Sequence, residues 1–143
     1  MTPYLLDVNV LVALLWRTHE GHEKAQTWFV QASKAGWATC PFTQAGCVRI
    51  LSNPAFSRNA ASPQQALKLL SVNLNHPSHI FWPDDLPFAD AVAPIERLLV
   101  GHKQVSDAYL LGLAIRRKAR LVTLDRSVSA LLTKEKQTAL LML

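Results

Sequence analysis

A chain of 143 residues, half of them hydrophobic and 17% charged, has the size and apolar content of one core, so a single domain over 1–143 is expected. Its longest apolar stretch, Val8 to Trp16 interrupted by Asn9, is too short to cross a bilayer. Met1-Thr2-Pro3 lacks the basic start and apolar segment of a secretory leader, so no membrane and a cytoplasmic location are expected. The charge of +5 and isoelectric point near 9.6 favour an anionic partner such as nucleic acid.

In chain order, Tyr4 to Leu6 reads as a short buried strand and Val8 to Trp16 as a helix that follows it directly. His19 to Lys34 continues with helical spacing at Ala25, Trp28, Phe29 and Ala32, and Gly36 suits its end. Trp37 to Cys40 is a second strand, and Pro41 opens a helix carrying Ala45, Val48, Ile50 and Leu51 as far as Asn53-Pro54. Cys40 and Cys47 have no CxxC pairing that would build a zinc site, and two helical turns part them too far for a disulfide, so both read as buried thiols.

Ser62-Pro63 forms an N-cap and first-turn pair for an amphipathic helix over Gln64 to Asn75. His79 to Trp82 is a third strand, Pro83 to Pro87 a turn, and Pro94 to Val100 a short helix ended by Gly101. Ser106 caps a helix from Asp107 to about Lys118. Leu121 to Leu124 is a fourth strand, Ser127 to Leu132 a short helix, and Thr138 to Leu143 an edge strand or apolar tail. Strands alternating with helices imply a three-layer α/β/α sandwich around a mostly parallel sheet of four or five strands.

Asp7 ends the first strand, Asp107 begins a helix and Asp125 ends the fourth strand. In a parallel sheet every strand points its C-terminal end at one edge, where α/β proteins keep their active sites. The helix after Asp107 descends for about 11 residues, ~16 Å at 1.5 Å per residue. The strand ending at Asp125 returns ~16 Å at about 3.3 Å per residue, so the two carboxylates come level. Any one of these aspartates serves equally well as a helix cap. Three at one edge, in a chain with only ten acidic residues, favour a hard-oxygen site suited to Mg²⁺ or Mn²⁺.

The runs Leu5-Leu6-Asp7-Val8-Asn9-Val10-Leu11, Cys40-Pro41-Phe42-Thr43-Gln44, Val48 to Pro54, Gln104-Val105-Ser106-Asp107-Ala108-Tyr109-Leu110 and Leu121 to Asp125 together resemble the PIN-domain family, and within it the VapC-type ribonuclease toxins of bacterial toxin–antitoxin pairs. The resemblance implies a Mg²⁺- or Mn²⁺-dependent endoribonuclease. Asp7 would be its first metal ligand and Asp107 its second, with Asp125 completing the catalytic acids directly or through water. It also implies supporting roles for Asn9 and Ser106, RNA products with 5′-phosphate and 3′-OH ends, and a small cognate antitoxin covering the acidic site or its entrance. A homodimer is expected. Where many relatives carry an acid after Thr43, this chain has Gln44, whose amide can ligate but adds no charge.

Water, activated by the metal, is then the expected nucleophile. Single-stranded or looped RNA is the expected substrate, with tRNA or rRNA as candidates, because splayed bases can stack on side chains. Arg49, His102, Lys103 and Arg126 lie near the motifs in sequence and are the candidate phosphate contacts. His19 and His22 read as a solvated helix start, Asp84 and Asp85 as turn residues, and Arg116-Arg117-Lys118 with Arg120 as a charged helix end. Two alternatives differ in class. One is a catalytically weakened PIN-fold RNA- or protein-binding module, which Gln44 favours. The other is an aspartyl phosphotransferase, against which Asn9 argues, since it stands where a second strand-end acid belongs.

Overall fold

The computed structural model describes residues 1–143. Its strands are β1 (Tyr4–Leu6), β2 (Trp37–Thr39), β3 (His79–Phe81), β4 (Arg120–Thr123) and β5 (Leu140–Met142). Its α-helices are α1 (Val8–Leu15), α2 (His22–Ala32), α3 (Pro41–Leu51), α4 (Pro63–Asn73), α5 (Phe88–Val92) and α6 (Val105–Arg116). The strands form one sheet in the order β3-β2-β1-β4-β5, and every neighbouring pair runs parallel.

Successive residues of a strand face opposite sides, and the two core clusters follow that alternation. Leu5 and Leu121 are paired across β1 and β4 and pack with Leu110, Leu111 and Leu113 of α6 and with Ile95, Val128 and Leu131. Leu6 and Val122, the next pair, pack on the other face with Val10, Leu11 and Val12 of α1, Cys47 and Leu51 of α3, and Leu70 of α4. Burial on both faces is what makes these short strands near-continuous apolar runs. Both cysteines are free and buried, and burial pushes the Cys47 thiol up to about 12, leaving it unreactive.

The α/β/α architecture read from the sequence is the one observed, with several local differences. His22, not His19, begins α2; His19 Nδ1 instead accepts from Gly21 N at 2.8 Å in the preceding turn. Phe88 to Val92 is helical although the sequence reading places no helix there, and it passes at once into a 3₁₀ segment, Ala93–Leu98. Pro94 explains the change, since it has no N–H to donate back to the preceding turn. The short segment after Asp125 is likewise a 3₁₀ helix, Arg126–Leu131. A further 3₁₀ helix, Lys134–Ala139, leads into the edge strand β5.

The entry to α6 also differs. Ser106 is not its cap: the helix begins at Val105, after a 3₁₀ turn over His102–Gln104. Gln104 Oε1 accepts from the backbone N–H groups of Val100 and Gly101 at 2.9 and 3.0 Å, which secures that turn without a serine cap. At its other end α6 stops at Arg116, and Lys118 adopts a left-handed φ of 54°. Gly112 lets α6 lie directly on α5, because a Cβ there would meet the Ala91 carbonyl oxygen at 1.9 Å.

Candidate active site

The C-terminal ends of β1 and β4 are tied together by a buried hydroxyl. Asp7 N donates to the Val122 carbonyl at 2.9 Å, carrying the β1–β4 ladder one step past β1. Thr123 Oγ1 then donates to Asp7 Oδ2 at 2.8 Å and accepts from Asn9 Nδ2 at 3.2 Å and from Asp125 N at 3.1 Å. Asn9 Oδ1 in turn accepts from Leu124 N at 3.1 Å. Asp7, Asn9, Thr123 and Asp125 therefore form one network across two strands. The sequence reading missed Thr123, counting it only within an apolar strand; its one signal is a hydroxyl two residues before Asp125.

Asp7 also caps α1, with Oδ1 accepting from Val8 N at 2.7 Å. It is only 5% exposed. Burial raises its pKa, with a further rise from the charge of Asp125, and the hydrogen bonds from Thr123 and Val8 pull in the opposite direction without cancelling it. Asp107, the third residue of α6, is pushed up to about 6, first by desolvation and then by the charges of Asp7 and Asp125. Asp7 thus caps a helix and also lies within reach of the other acids, since the charge of Asp125 acts on Asp7 and the charges of Asp7 and Asp125 act on Asp107.

A cleft opens over this edge, lined by Asp7 and Val8 at the start of α1, by Phe42, Gly46 and Arg49 of α3, and by Ser106 and Asp107 of α6. Phe42, Gly46 and Arg49 recur at helical spacing and so share one face of α3. Gly46 sets how closely that face approaches α1, since a Cβ there would meet Val8 Cγ2 at 2.8 Å. Arg49 is exposed and makes no ion pair; the single salt bridge of the chain joins Arg117 to Asp85.

The other expected site residues fall around this cleft. Asp125 does not line it, and its Oδ1 is held by Ser127 N at 2.9 Å and by Ser127 Oγ at 2.7 Å. His102 and Lys103 are exposed on the 3₁₀ turn before α6, and Arg126 is exposed immediately after Asp125. Thr43 is buried, with its hydroxyl accepting from Cys40 N at 3.0 Å to close the first turn of α3. Gln44 points elsewhere: its Nε2 donates to Thr39 Oγ1 at 2.9 Å, and Thr39 Oγ1 lies 2.8 Å from His79 Nε2. Burial holds the His79 pKa down, so its neutral ring can accept from Thr39.

The oxygen donors of Asp7 and Asp107 suit a hard divalent cation, whose charge would offset the burial and, to a lesser degree, the neighbouring carboxylate charge that raise both carboxyls. No three His, Cys, Asp or Glu side chains stand close enough together to make a complete cation cage. The PIN domain family model matches residues 4–131. The chain belongs to the PIN-domain family. Among its relatives in Mycobacterium tuberculosis, Ribonuclease VapC39 is 43% identical over 125 residues, covering 87% of this chain and 90% of that protein. Ribonuclease VapC38 is 42% identical over 134 residues, covering 94% and 93%. This PIN domain also resembles a crystal structure of VapBC2 from Rickettsia felis bound to a DNA fragment from their promoter. The TM-score is 0.58 at 15% identity, with 86% of this chain and 87% of that chain covered, a likeness of fold.

Proposed function

We propose that this protein is a metal-dependent endoribonuclease and the toxin of a toxin–antitoxin pair. The carrying observation is that Asp7, Asp107 and Arg49 line one cleft, in a chain more than 40% identical over most of its length to proteins named ribonucleases. In this reading Asp7 and Asp107 hold Mg²⁺ or Mn²⁺, and Asp125 completes the set directly or through water. The bound ion would lower the pKa of water toward neutrality and offset charge on the scissile phosphate.

The protein's own groups do the positioning. Thr123 fixes Asp7 by hydrogen bonding, and Asn9 ties that hydroxyl to the backbone after β4. Ser106 lines the cleft beside Asp107, placed to hydrogen-bond a ligand water or a phosphate oxygen. Arg49 is the nearest cation for the scissile phosphate, while Lys103, Arg126 and His102 contact phosphates farther along the strand. The partners are single-stranded or looped RNA, with tRNA or rRNA as candidates, a small antitoxin and a second copy of the chain, all in the cytoplasm. No helix is long and apolar enough to cross a membrane.

A second reading, a binding module with weakened catalysis, draws on the amide at Gln44 and on the incomplete cation cage. One experiment separates the two. Protein freed of antitoxin is incubated with pooled tRNAs and rRNA fragments in Mg²⁺ or Mn²⁺, with EDTA and Asp7→Ala as controls, and the new ends are sequenced. Cuts bearing 5′-phosphates that need metal and Asp7 are expected. RNA retained without cuts, by folded and metal-loaded protein, would replace the nuclease by the binding module.

A further inference from the structure

Beside the carboxylate cleft lies a row of three aromatic rings. Phe42 is 43% exposed and Phe88 44% exposed. The ring centroids of Phe42 and Tyr109 are 6.3 Å apart, and those of Tyr109 and Phe88 are 6.4 Å apart with planes inclined by only 16°. Phe42 itself lines the cleft with Asp7, Asp107 and Arg49. Tyr109 follows Ser106, another lining residue, by one helical turn and so continues the same face of α6. Its hydroxyl reaches toward Asp84 Oδ1 at 3.5 Å. Exposed Phe81 makes no such ring contact on β3, whereas this row is contiguous and reaches the carboxylate cleft at its Phe42 end.

We propose that Phe42, Tyr109 and Phe88 are specificity-determining residues: a platform on which an unpaired base of the RNA stacks next to the scissile phosphate. The inference rests on the ribonuclease reading and names the feature of the substrate that the cleft selects. An aromatic face accepts any base, because every base has a π-face, while a base inside a paired helix is already stacked and does not reach the row. Phe42 and Arg49 lie seven residues apart on one face of α3, ~10 Å along the helix at 1.5 Å per residue. A base on the ring and a phosphate at the guanidinium can therefore be held together over the same cleft. The charges around the row favour this occupant over an acidic protein segment. Asp7, Asp107 and Asp84 repel such a segment, whereas a stacked base is neutral and its phosphate is met by Arg49, with any divalent cation that Asp7 and Asp107 would hold adding to that attraction.

The test uses single-stranded RNA 12-mers carrying 2-aminopurine at each position in turn, titrated with the Asp107→Asn protein in Mg²⁺ so that binding is read without cleavage. Quenching at one position is expected. Adding Phe42→Ala should abolish that quenching and weaken binding about tenfold, the scale of one stacked base, whereas Phe42→Tyr, which keeps the ring, should restore both. In the wild-type background Phe42→Ala should raise KM for single-stranded RNA far more than it lowers kcat. Unchanged binding and quenching in Phe42→Ala would overturn the platform, and wild-type cleavage in the same RNA set would show that the ribonuclease reading survives it. A Phe42→Ala protein that changes from dimer to monomer in sedimentation would assign the row to a subunit interface and overturn it as well. Absence of both RNA binding and wild-type cleavage would remove the two readings together.

Discussion

Thr123 shows how one buried hydroxyl can govern a carboxylate it does not replace. It is fully buried, donates to Asp7 and accepts from Asn9 and Asp125 N. Thr123→Val keeps the shape but leaves a buried carboxylate oxygen and two donors without their partner. At 1–3 kcal/mol for an unsatisfied buried group, a loss of about 3 kcal/mol in urea unfolding is expected. The same substitution removes a hydrogen bond that lowers the Asp7 pKa, so the acidic limb of the pH–rate profile should move upward. Asp107 gives the opposite kind of result. Its carboxyl titrates at about 6 in the fold against an ordinary value of 3.8, so the folded state holds the proton more tightly than the unfolded chain. That contribution is fully present below about pH 4 and is lost as the pH rises through 6. Asp107→Asn should therefore stabilise the protein at pH 7.5 in EDTA, by about 1 kcal/mol after allowance for solvent screening, while abolishing cleavage. Thermal unfolding at pH 4 and pH 7.5 checks this, since the gain should vanish at the lower pH.

At the scale of elements, two glycines set close helix approaches, Gly46 bringing α3 onto α1 at the cleft and Gly112 working away from it. Gly112 brings α6 onto α5, and a Cβ there meets backbone atoms of Ala91, with the carbonyl carbon at 2.5 Å. Backbone cannot rotate aside as a side chain can, so Gly112→Ala should cost about 3 kcal/mol by overpacking. Gly101→Ala, which meets nothing within 4 Å, should leave chemical denaturation unchanged and serves as the control. The sequence carries little sign of the Gly112 contact, because the distance between two helices depends on tertiary packing. The strands and the longer helices were legible because apolar runs, Pro at first turns and Ser62 at a cap act locally. Two 3₁₀ segments, Ala93–Leu98 and Arg126–Leu131, were legible as short helices but not as 3₁₀, since a few residues cannot display a period. Element lengths bring Asp107 and Asp125 level at one sheet edge and the end of β1 puts Asp7 at that edge, but spacing does not give the strand order that decides whether Asp7 stands beside them; in the fold β1 and β4 are neighbours. What could not be read was how each side chain turns at that edge: Asp125 toward Ser127, and Gln44 toward Thr39 instead of into the cleft. Those choices follow from hydrogen-bond partners that tertiary folding brings together.

On the whole molecule, a net charge of +5 coexists with a cluster of carboxylates at the sheet edge, so attraction for a polyanion must come from around the cleft and not from its floor. Arg49, Lys103 and Arg126 are the exposed cations beside the motifs, and none is tied in a salt bridge. If each neutralises one phosphate of single-stranded RNA, counterion release at about 0.7 per contact gives a slope near −2 for log binding constant against log salt. Replacing Lys103 by Ala should reduce the slope's magnitude by about 0.7 and weaken all RNA sequences alike, because a phosphate contact positions the strand without reading its bases. Titrations of Asp107→Asn with an RNA 12-mer across monovalent salt, at fixed Mg²⁺, measure these slopes directly. A slope near zero would mean that the basic surface faces something other than RNA, and that the excess positive charge of the chain is spread over solvated helix ends such as Arg116 to Lys118.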